Sequence, residues 1–91
     1  MRHRIENVET GTWNRVIEDL KASGFEEVYR YGGMDAGIDY NRCELVSRAD
    51  GELVVFEWDN WSEGEIRAEL PRLEALREKY RLSEPSEVDG P

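Results

Sequence analysis

The 91-residue sequence is poor in the residues that build metal and disulfide proteins. Cys43 is the only cysteine and His3 the only histidine. A lone cysteine cannot form an internal disulfide, which is typical of proteins from a reducing compartment. A zinc site takes three or four ligands, mostly Cys or His, and only two such residues are present. We therefore expect no metal site and no cofactor, and we identify no catalytic residue.

The chain also lacks a long apolar run and an excess of basic residues. Nowhere do 18 apolar residues follow one another, and the first residues have no apolar signal segment, so we expect a cytoplasmic protein without membrane contact. Twelve basic residues stand against 21 acidic ones, a net charge of −9. Phosphate backbones would repel such a chain, so no direct nucleic-acid binding is expected. The charge suits a basic protein partner, and a homo-oligomer is the other possibility considered.

Motifs for nucleotides and calcium are missing as well. The glycines of the segment YGGMDAG match neither GxGxxG nor GxxxxGK, the phosphate-binding patterns. The segment DAGIDYN resembles a calcium loop only in having Asp35, Asp39 and Asn41. The glycine and the bidentate glutamate that a calcium loop needs at its sixth and twelfth positions are not there.

What the sequence does contain is regular periodicity. The segment 10–25 carries apolar residues at helical spacing: Trp13, Val16, Ile17 and Leu20. We expect a helix here that is capped by Thr12 and ended by Gly24 in the left-handed conformation. Strands are expected at 25–31, 38–49 and 52–61, with a loop at 32–37. The pair Asp50-Gly51 predicts a two-residue hairpin turn between the last two strands.

The segment FEWDNWSEGEIRAELP, residues 56–71, permits two structures. A helix would use Ser62 and Glu65 as a capping box, but Pro71 inside it would cost about 3 kcal/mol. A strand at 65–70 alternates apolar and charged residues without a miss, and Gly64 would then take the left-handed position of a hairpin loop. We favour the strand.

A second helix is predicted at 71–82, and the acidic tail 83–91 has too few apolar residues to order itself. The expected order is α-β-β-β-β-α: one α+β domain over residues 1–82, with an antiparallel meander sheet and both helices packed on one face. Cys43 should be a small core residue.

The hairpin register predicts the candidate site. With a two-residue turn, Leu45 faces Phe56 on the apolar side that carries the helices. The opposite side would hold these residues: Tyr40, Arg42, Glu44, Glu57, Asp59 and Trp61. Glu44 would lie directly opposite Glu57, and Tyr40 opposite Trp61. Trp61 would either serve a partner or be covered by the N-terminal segment RHRIENV.

This side of the sheet suggests two alternative functions. The first is a non-enzymatic protein–protein interaction module, which binds a basic partner through the acidic and aromatic residues. The second is a small enzyme or a divalent-cation site that uses the opposed carboxylates of Glu44 and Glu57, unless Arg42, Arg48 or Arg67 neutralises them. In size and charge the chain resembles small acidic bacterial interaction proteins such as immunity proteins and secretion chaperones, and no motif in it identifies either class.

Overall fold

The computed structural model describes residues 2–35 and 38–88. They form two helices and six strands. The elements are β1 (Arg2–Val8), α1 (Thr10–Ala22), β2 (Phe25–Asp35), β3 (Ile38–Ser47), β4 (Leu53–Asp59), β5 (Glu63–Glu69), α2 (Leu70–Tyr80) and β6 (Ser86–Glu87). The α+β class, the two helices and the four central strands confirm the predicted fold.

The six strands form a single antiparallel sheet in the order β2-β3-β4-β5-β1-β6. Both helices bury their apolar stripes in one core cluster with one face of this sheet. Its largest fully buried side chains include Phe56, Ile5, Ile17, Leu45, Ile66 and Leu73. Neither helix in the described ranges is long and apolar enough to cross a bilayer.

Helix α1 buries the four residues predicted from the spacing, Trp13, Val16, Ile17 and Leu20. Its end is also as predicted, because Gly24 has a φ of 110°, a conformation that costs glycine little. The predicted cap is wrong. The helix begins two residues before Thr12, and Glu9 at the N-cap makes no side-chain capping bond.

Residues 63–69 form a strand, so the strand interpretation of the segment 56–71 is correct and the helix alternative is wrong. The detail of the turn differs from the prediction. Glu63, with φ of 60°, takes the left-handed position instead of Gly64. Gly64 is buried in β5, where an added Cβ would lie 2.5 Å from Cδ1 of Trp13 and 2.8 Å from the carbonyl oxygen of Val8. The missing side chain permits Trp13 of α1 and the backbone of β1 to lie close to β5.

Strand β1 is not predicted from the sequence. It pairs with β5 from Arg2 opposite Glu69 to Val8 opposite Gly64, with an irregularity between Ile5 and Val8. The tail was expected to be disordered over 83–91. In the structure Ser86–Glu87 pairs with β1 as β6, the hydroxyl of Ser83 donates to the carbonyl oxygen of Glu6, and residues 89–91 lie outside the described part.

The hairpin of β3 and β4 keeps the predicted faces but not the predicted register. Leu45 pairs with Val54, two residues from its expected partner Phe56. The cause is a longer turn: the amide of Ser47 donates to the carbonyl oxygen of Glu52 at 2.8 Å, which leaves four residues, 48–51, in the loop. Since a shift of two residues preserves the alternation of side chains, the buried face is still the predicted one.

Strand β2 is also longer than expected. The predicted loop 32–37 is wrong at its start, because β2 continues through Gly32 and Gly33 to Asp35. Gly32 pairs with Asn41 and Gly33 with Tyr40. The remainder of that loop, residues 36 and 37, lies outside the described residues.

Candidate functional site

The helix-free face of the sheet, here called the outer face, collects most of the predicted site residues. Side chains alternate along a strand, so the neighbours of buried Cys43 and Phe56 point away from the helices. Among the residues that β2 to β5 place on this face are Tyr29, Tyr31, Tyr40, Arg42, Glu44, Val55, Glu57, Asp59, Glu65 and Arg67.

A chain of ion pairs crosses the outer face. The guanidinium of Arg42 donates to Glu44 at 2.9 Å and lies 3.2 Å from the carboxylate of Glu57. Arg67 lies 3.4 Å from the other oxygen of Glu57 and also pairs with Glu65. Two arginines and three glutamates therefore alternate across three strands, and the network keeps a charge of −1.

The phenol of Tyr40 belongs to the same network. Its hydroxyl donates to Oε2 of Glu57 at 2.5 Å. Partial burial, together with this bond to a carboxylate, raises the pKa of Tyr40 above its ordinary value. The bond to Glu44 raises the pKa of Arg42, so this guanidinium stays charged at any physiological pH. Tyr40 and Arg42 thus present fixed hydrogen-bonding groups instead of groups that titrate near neutral pH.

The predicted opposition of Glu44 and Glu57 is wrong. Glu44 pairs with Val55, and Glu57 pairs with Arg42 on one side and Glu65 on the other. The expectation that an arginine lies alongside is correct for Arg42 and Arg67. Arg48 instead lies near Glu26, at 3.7 Å. A carboxylate that already has arginine partners is poorly suited to proton transfer or to cation binding.

Tyrosines cover the part of the outer face next to β2. The rings of Tyr31 and Tyr40 lie 6.0 Å apart at an angle of 47°. Tyr31 extends over Gly33, where an added Cβ would lie 3.2 Å from the tyrosine hydroxyl. Tyr29 is 46% and Tyr31 45% exposed, although both belong to a regular strand. The pattern is an ordered aromatic surface that no helix covers.

Asp59 is the last residue of β4, opposite Tyr40 on the outer face, and Trp61 lies in the turn between β4 and β5. Tyr40 pairs with Asp59, so the predicted pairing of Tyr40 with Trp61 is wrong. Oδ1 of Asp59 accepts hydrogen bonds from the amides of Trp61 and Ser62, at 2.8 and 2.6 Å. Asn60 ties the turn to Asp39 of β3 through two further bonds.

Trp61 itself is 78% exposed, the highest value among the large apolar residues of the described chain. The suggestion that the N-terminal segment covers it is wrong, since that segment forms β1 and pairs with β5. The turn therefore presents a tryptophan from a backbone that side-chain hydrogen bonds hold in place.

An acidic recess of about 230 Å³ lies between this turn and the outer face. Its carboxylates come from Glu6, Glu57, Asp59, Glu63 and Glu65, with Arg67 and the Tyr40 ring also in the lining. In the described ranges, no group of three His, Cys, Asp or Glu side chains is arranged to hold a metal ion.

Cys43 takes no part in the outer face. It is fully buried in the core, as predicted, and burial raises the pKa of its thiol to about 11. At neutral pH the thiol is therefore protonated, and a protonated thiol is a poor nucleophile.

The predicted site residues included none from β2 or β5, and of the outer-face residues on these strands only Arg67 was named, as an arginine that could neutralise the glutamates. Tyr29, Tyr31, Glu65 and Arg67 join the predicted residues only because β2 pairs with β3 and β5 with β4. The alternation of Glu65 and Arg67 with buried Ile66 was a usable signal, because it assigns both side chains to one face.

In comparisons with protein-family models, with curated proteins and with solved structures, no match to this chain was found.

Proposed function

We propose that the chain is a non-enzymatic protein–protein interaction module, which binds a basic partner through the outer face and the Trp61 turn. The observation that carries the proposal is the exposure of Tyr29, Tyr31 and Trp61 on ordered backbone. Tyrosine and tryptophan are enriched in interfaces, where they bury large areas with little loss of side-chain freedom.

The charge of the molecule selects the kind of partner. The chain carries −9, and the recess beside Trp61 is lined by five carboxylates and one arginine. A basic surface would be attracted over a distance, and salt would weaken that attraction. Tyrosine and tryptophan rings also attract guanidinium and ammonium groups. Lysine and arginine side chains of a partner therefore find both kinds of contact here.

The enzymatic alternative was based on an arrangement of two carboxylates that the described residues do not form. It needed Glu44 and Glu57 as an opposed pair, and Arg42 lies between their carboxylates. A lone buried cysteine suits a reducing compartment, so we place the proposed binding in the cytoplasm.

The proposal can be tested by affinity capture from a bacterial lysate. Immobilised wild-type chain is compared with the double variant Tyr31→Ser, Glu44→Gln on the outer face. The control is the double variant Glu74→Gln, Glu78→Gln, which removes exposed charges from α2 on the opposite side of the domain.

We expect basic proteins to be captured by the wild type and by the helix control, to elute with about 0.5 M salt, and to be lost by the outer-face variant. Equal loss from the helix control would contradict the proposal, since binding would then depend on charge alone. Captured proteins that are acidic, or that resist salt, would contradict the proposed partner class.

A further inference from the structure

Strand β2 forms one edge of the sheet and leaves a long row of backbone groups without a neighbour. In the part of the chain that the structure describes, β3 is the only strand that pairs with it. The six consecutive residues 28–33 are all exposed. A strand with one face on a core would alternate between buried and exposed residues. This half of β2 therefore extends beyond the helices, with both faces and one edge accessible.

The two edges of the sheet differ in how their backbone groups are covered. At the opposite edge β6 pairs with β1, and the amide of Val88 donates to the carbonyl oxygen of Arg2. Proteins usually protect open edges with lysine, proline, bulges or inward-pointing charges. The sequence of β2, FEEVYRYGGMD, has no lysine or proline.

The protection that β2 does have is confined to its first half. An irregularity lies between Glu27 and Tyr29, and the inward Glu27 pairs with Arg30 at 2.7 Å. From Tyr29 to Asp35 the pairing with β3 is regular, and two glycines offer no side chain that would obstruct a neighbour. Residues 29–33 are thus a regular, open stretch of edge beside the exposed tyrosines.

We propose that an extended segment of a basic protein binds as an additional strand along residues 29–33 of β2. This deepens the proposed function and rests on it. Main-chain hydrogen bonds to the open edge would supply affinity, and alternate side chains would supply selectivity. Side chains on one side of the added strand would lie beside Tyr29 and Tyr31, whose rings favour arginine and lysine.

Charge decides between this segment and a second copy of the chain. Two copies joined edge to edge would bring −9 against −9. Within β2 the carboxylates of Glu26 and Glu27 outnumber the single guanidinium of Arg30, which Glu27 already binds. A basic segment removes this repulsion, whereas a second copy adds to it.

The test is an NMR titration of the ¹⁵N-labelled chain at low salt with a synthetic peptide of eight residues that alternates lysine and valine. A twin peptide, N-methylated at its four central residues, has the same charge but cannot form the ladder. We expect the first peptide to shift the amides of residues 29–33 and to slow hydrogen exchange at least tenfold for the alternate amides of this stretch that do not already donate to β3. We expect the twin to bind at least tenfold more weakly.

Each other result has a defined meaning. Equal binding of the twin, or binding that perturbs Arg42 and Arg67 without protecting β2, would overturn the added strand and leave the proposed function standing. If neither peptide perturbs β2 or the outer face, both proposals fail. A concentration-dependent dimer of the free chain in sedimentation, with β2 amides protected, would show that a second copy is the occupant.

Discussion

At the scale of single residues, Gly64 is where the packing leaves least room. A methyl group there would meet Trp13 at 2.5 Å and the backbone of Val8 at 2.8 Å. Backbone cannot move aside as a flexible side chain can, so we expect Gly64→Ala to lower the free energy of unfolding by about 1–3 kcal/mol. Urea denaturation monitored by tryptophan fluorescence measures this.

Gly11 is the matched control for that substitution. It lies in the exposed first turn of α1, where an added Cβ would meet only a side-chain oxygen of Glu9 at 3.8 Å. Alanine is the better helix former by about 0.8–1 kcal/mol in helix interiors, so Gly11→Ala should be neutral or stabilising. A Gly64→Ala variant as stable as Gly11→Ala would contradict the described packing of α1 and β1 on β5.

Glu57 is the residue for which the structure reverses the expectation from the sequence. An opposed pair with Glu44 would make its removal stabilising. In the structure Glu57 accepts from Tyr40 and lies near Arg42 and Arg67. We expect Glu57→Gln to cost about 1 kcal/mol, because the two guanidiniums lose their shared counter-charge.

The comparison for Glu57→Gln is Glu44→Gln, which removes a carboxylate that pairs with Arg42 at the end of the network. It should cost less in the same urea titration. Glu57→Gln more stable than the wild type would restore the like-charge interpretation and contradict the geometry of the outer face.

Tyr80 gives the fold a dependence on alkaline pH. Its hydroxyl donates to Asp19 of α1 at 2.5 Å, and burial together with that bond raises its pKa to about 12. The unfolded value is about 10, so the protonated phenol contributes its full stabilisation below pH 10. That contribution is lost as pH rises from 10 to 12.

We therefore expect Tyr80→Phe to be less stable than the wild type at pH 7, by about 1 kcal/mol. The difference should shrink between pH 10 and 12, because the wild type alone loses the Tyr80 bond. Urea titrations of both proteins at pH 7, 9, 10.5 and 11.5 measure it. If the difference in stability between wild type and Tyr80→Phe stays constant with pH, the hydrogen bond from Tyr80 to Asp19 does not stabilise the fold.

At the scale of elements, hydrophobic periodicity predicted the correct helix or strand wherever the pattern was unbroken. The stripe of α1 and the strict alternation of β5 each predicted the element that forms. Strand β1 had no such signal. Its buried residues Ile5 and Val8 are three apart, because Asn7 with φ of 58° accompanies an irregularity in the strand. A bulge of this kind conceals a strand from an alternation rule.

The sequence predicted on which face of the sheet the site residues of β3 and β4 lie. It did not predict which of these residues contact one another. Alternation assigned Tyr40, Arg42, Glu44 and Glu57 correctly to one side of the hairpin. Which of them touch depends on the loop, and Asp50 does not adopt the positive φ that a two-residue turn requires. The contact of Arg67 with Glu57 depends on the register of the β4–β5 hairpin, in which Glu57 pairs with Glu65, and alternation alone does not determine that register.

The tail should protect an edge more than it stabilises the core. Its contacts include the short β6 pairing, single bonds from Val88 and Ser83, and an ion pair of Glu84 with Arg77 at 3.8 Å. Ending the chain after Leu82 keeps the residue that packs on the core. We expect the melting temperature to fall by no more than about 4 °C, a change equivalent to roughly 1 kcal/mol in a domain of this size.

The same truncation would leave the backbone of β1 open, and open edges pair with other chains. Sedimentation velocity should show more self-association of the truncated chain than of the wild type at equal concentration. A larger fall in melting temperature without association would show that the tail contributes to the core and does not cap an edge.

At the scale of the whole molecule, one face of the sheet supports the fold and the other carries the surface that we propose for binding. One face and two helices supply the core cluster, while the other face carries an ion network, ordered tyrosines and the acidic recess. A small domain has little apolar mass to spare, and a contiguous exposed aromatic surface on a small domain often marks an interaction site.

The most direct test compares the unfolding of Trp61→Ala with that of Phe56→Ala in urea. Phe56 is fully buried, and its truncation should cost about 3–5 kcal/mol through the cavity it leaves. Trp61 is 78% exposed, and its truncation should cost less than about 0.5 kcal/mol. If Trp61→Ala destabilises the domain as much as Phe56→Ala does, Trp61 belongs to the core and the binding surface proposed around it does not exist.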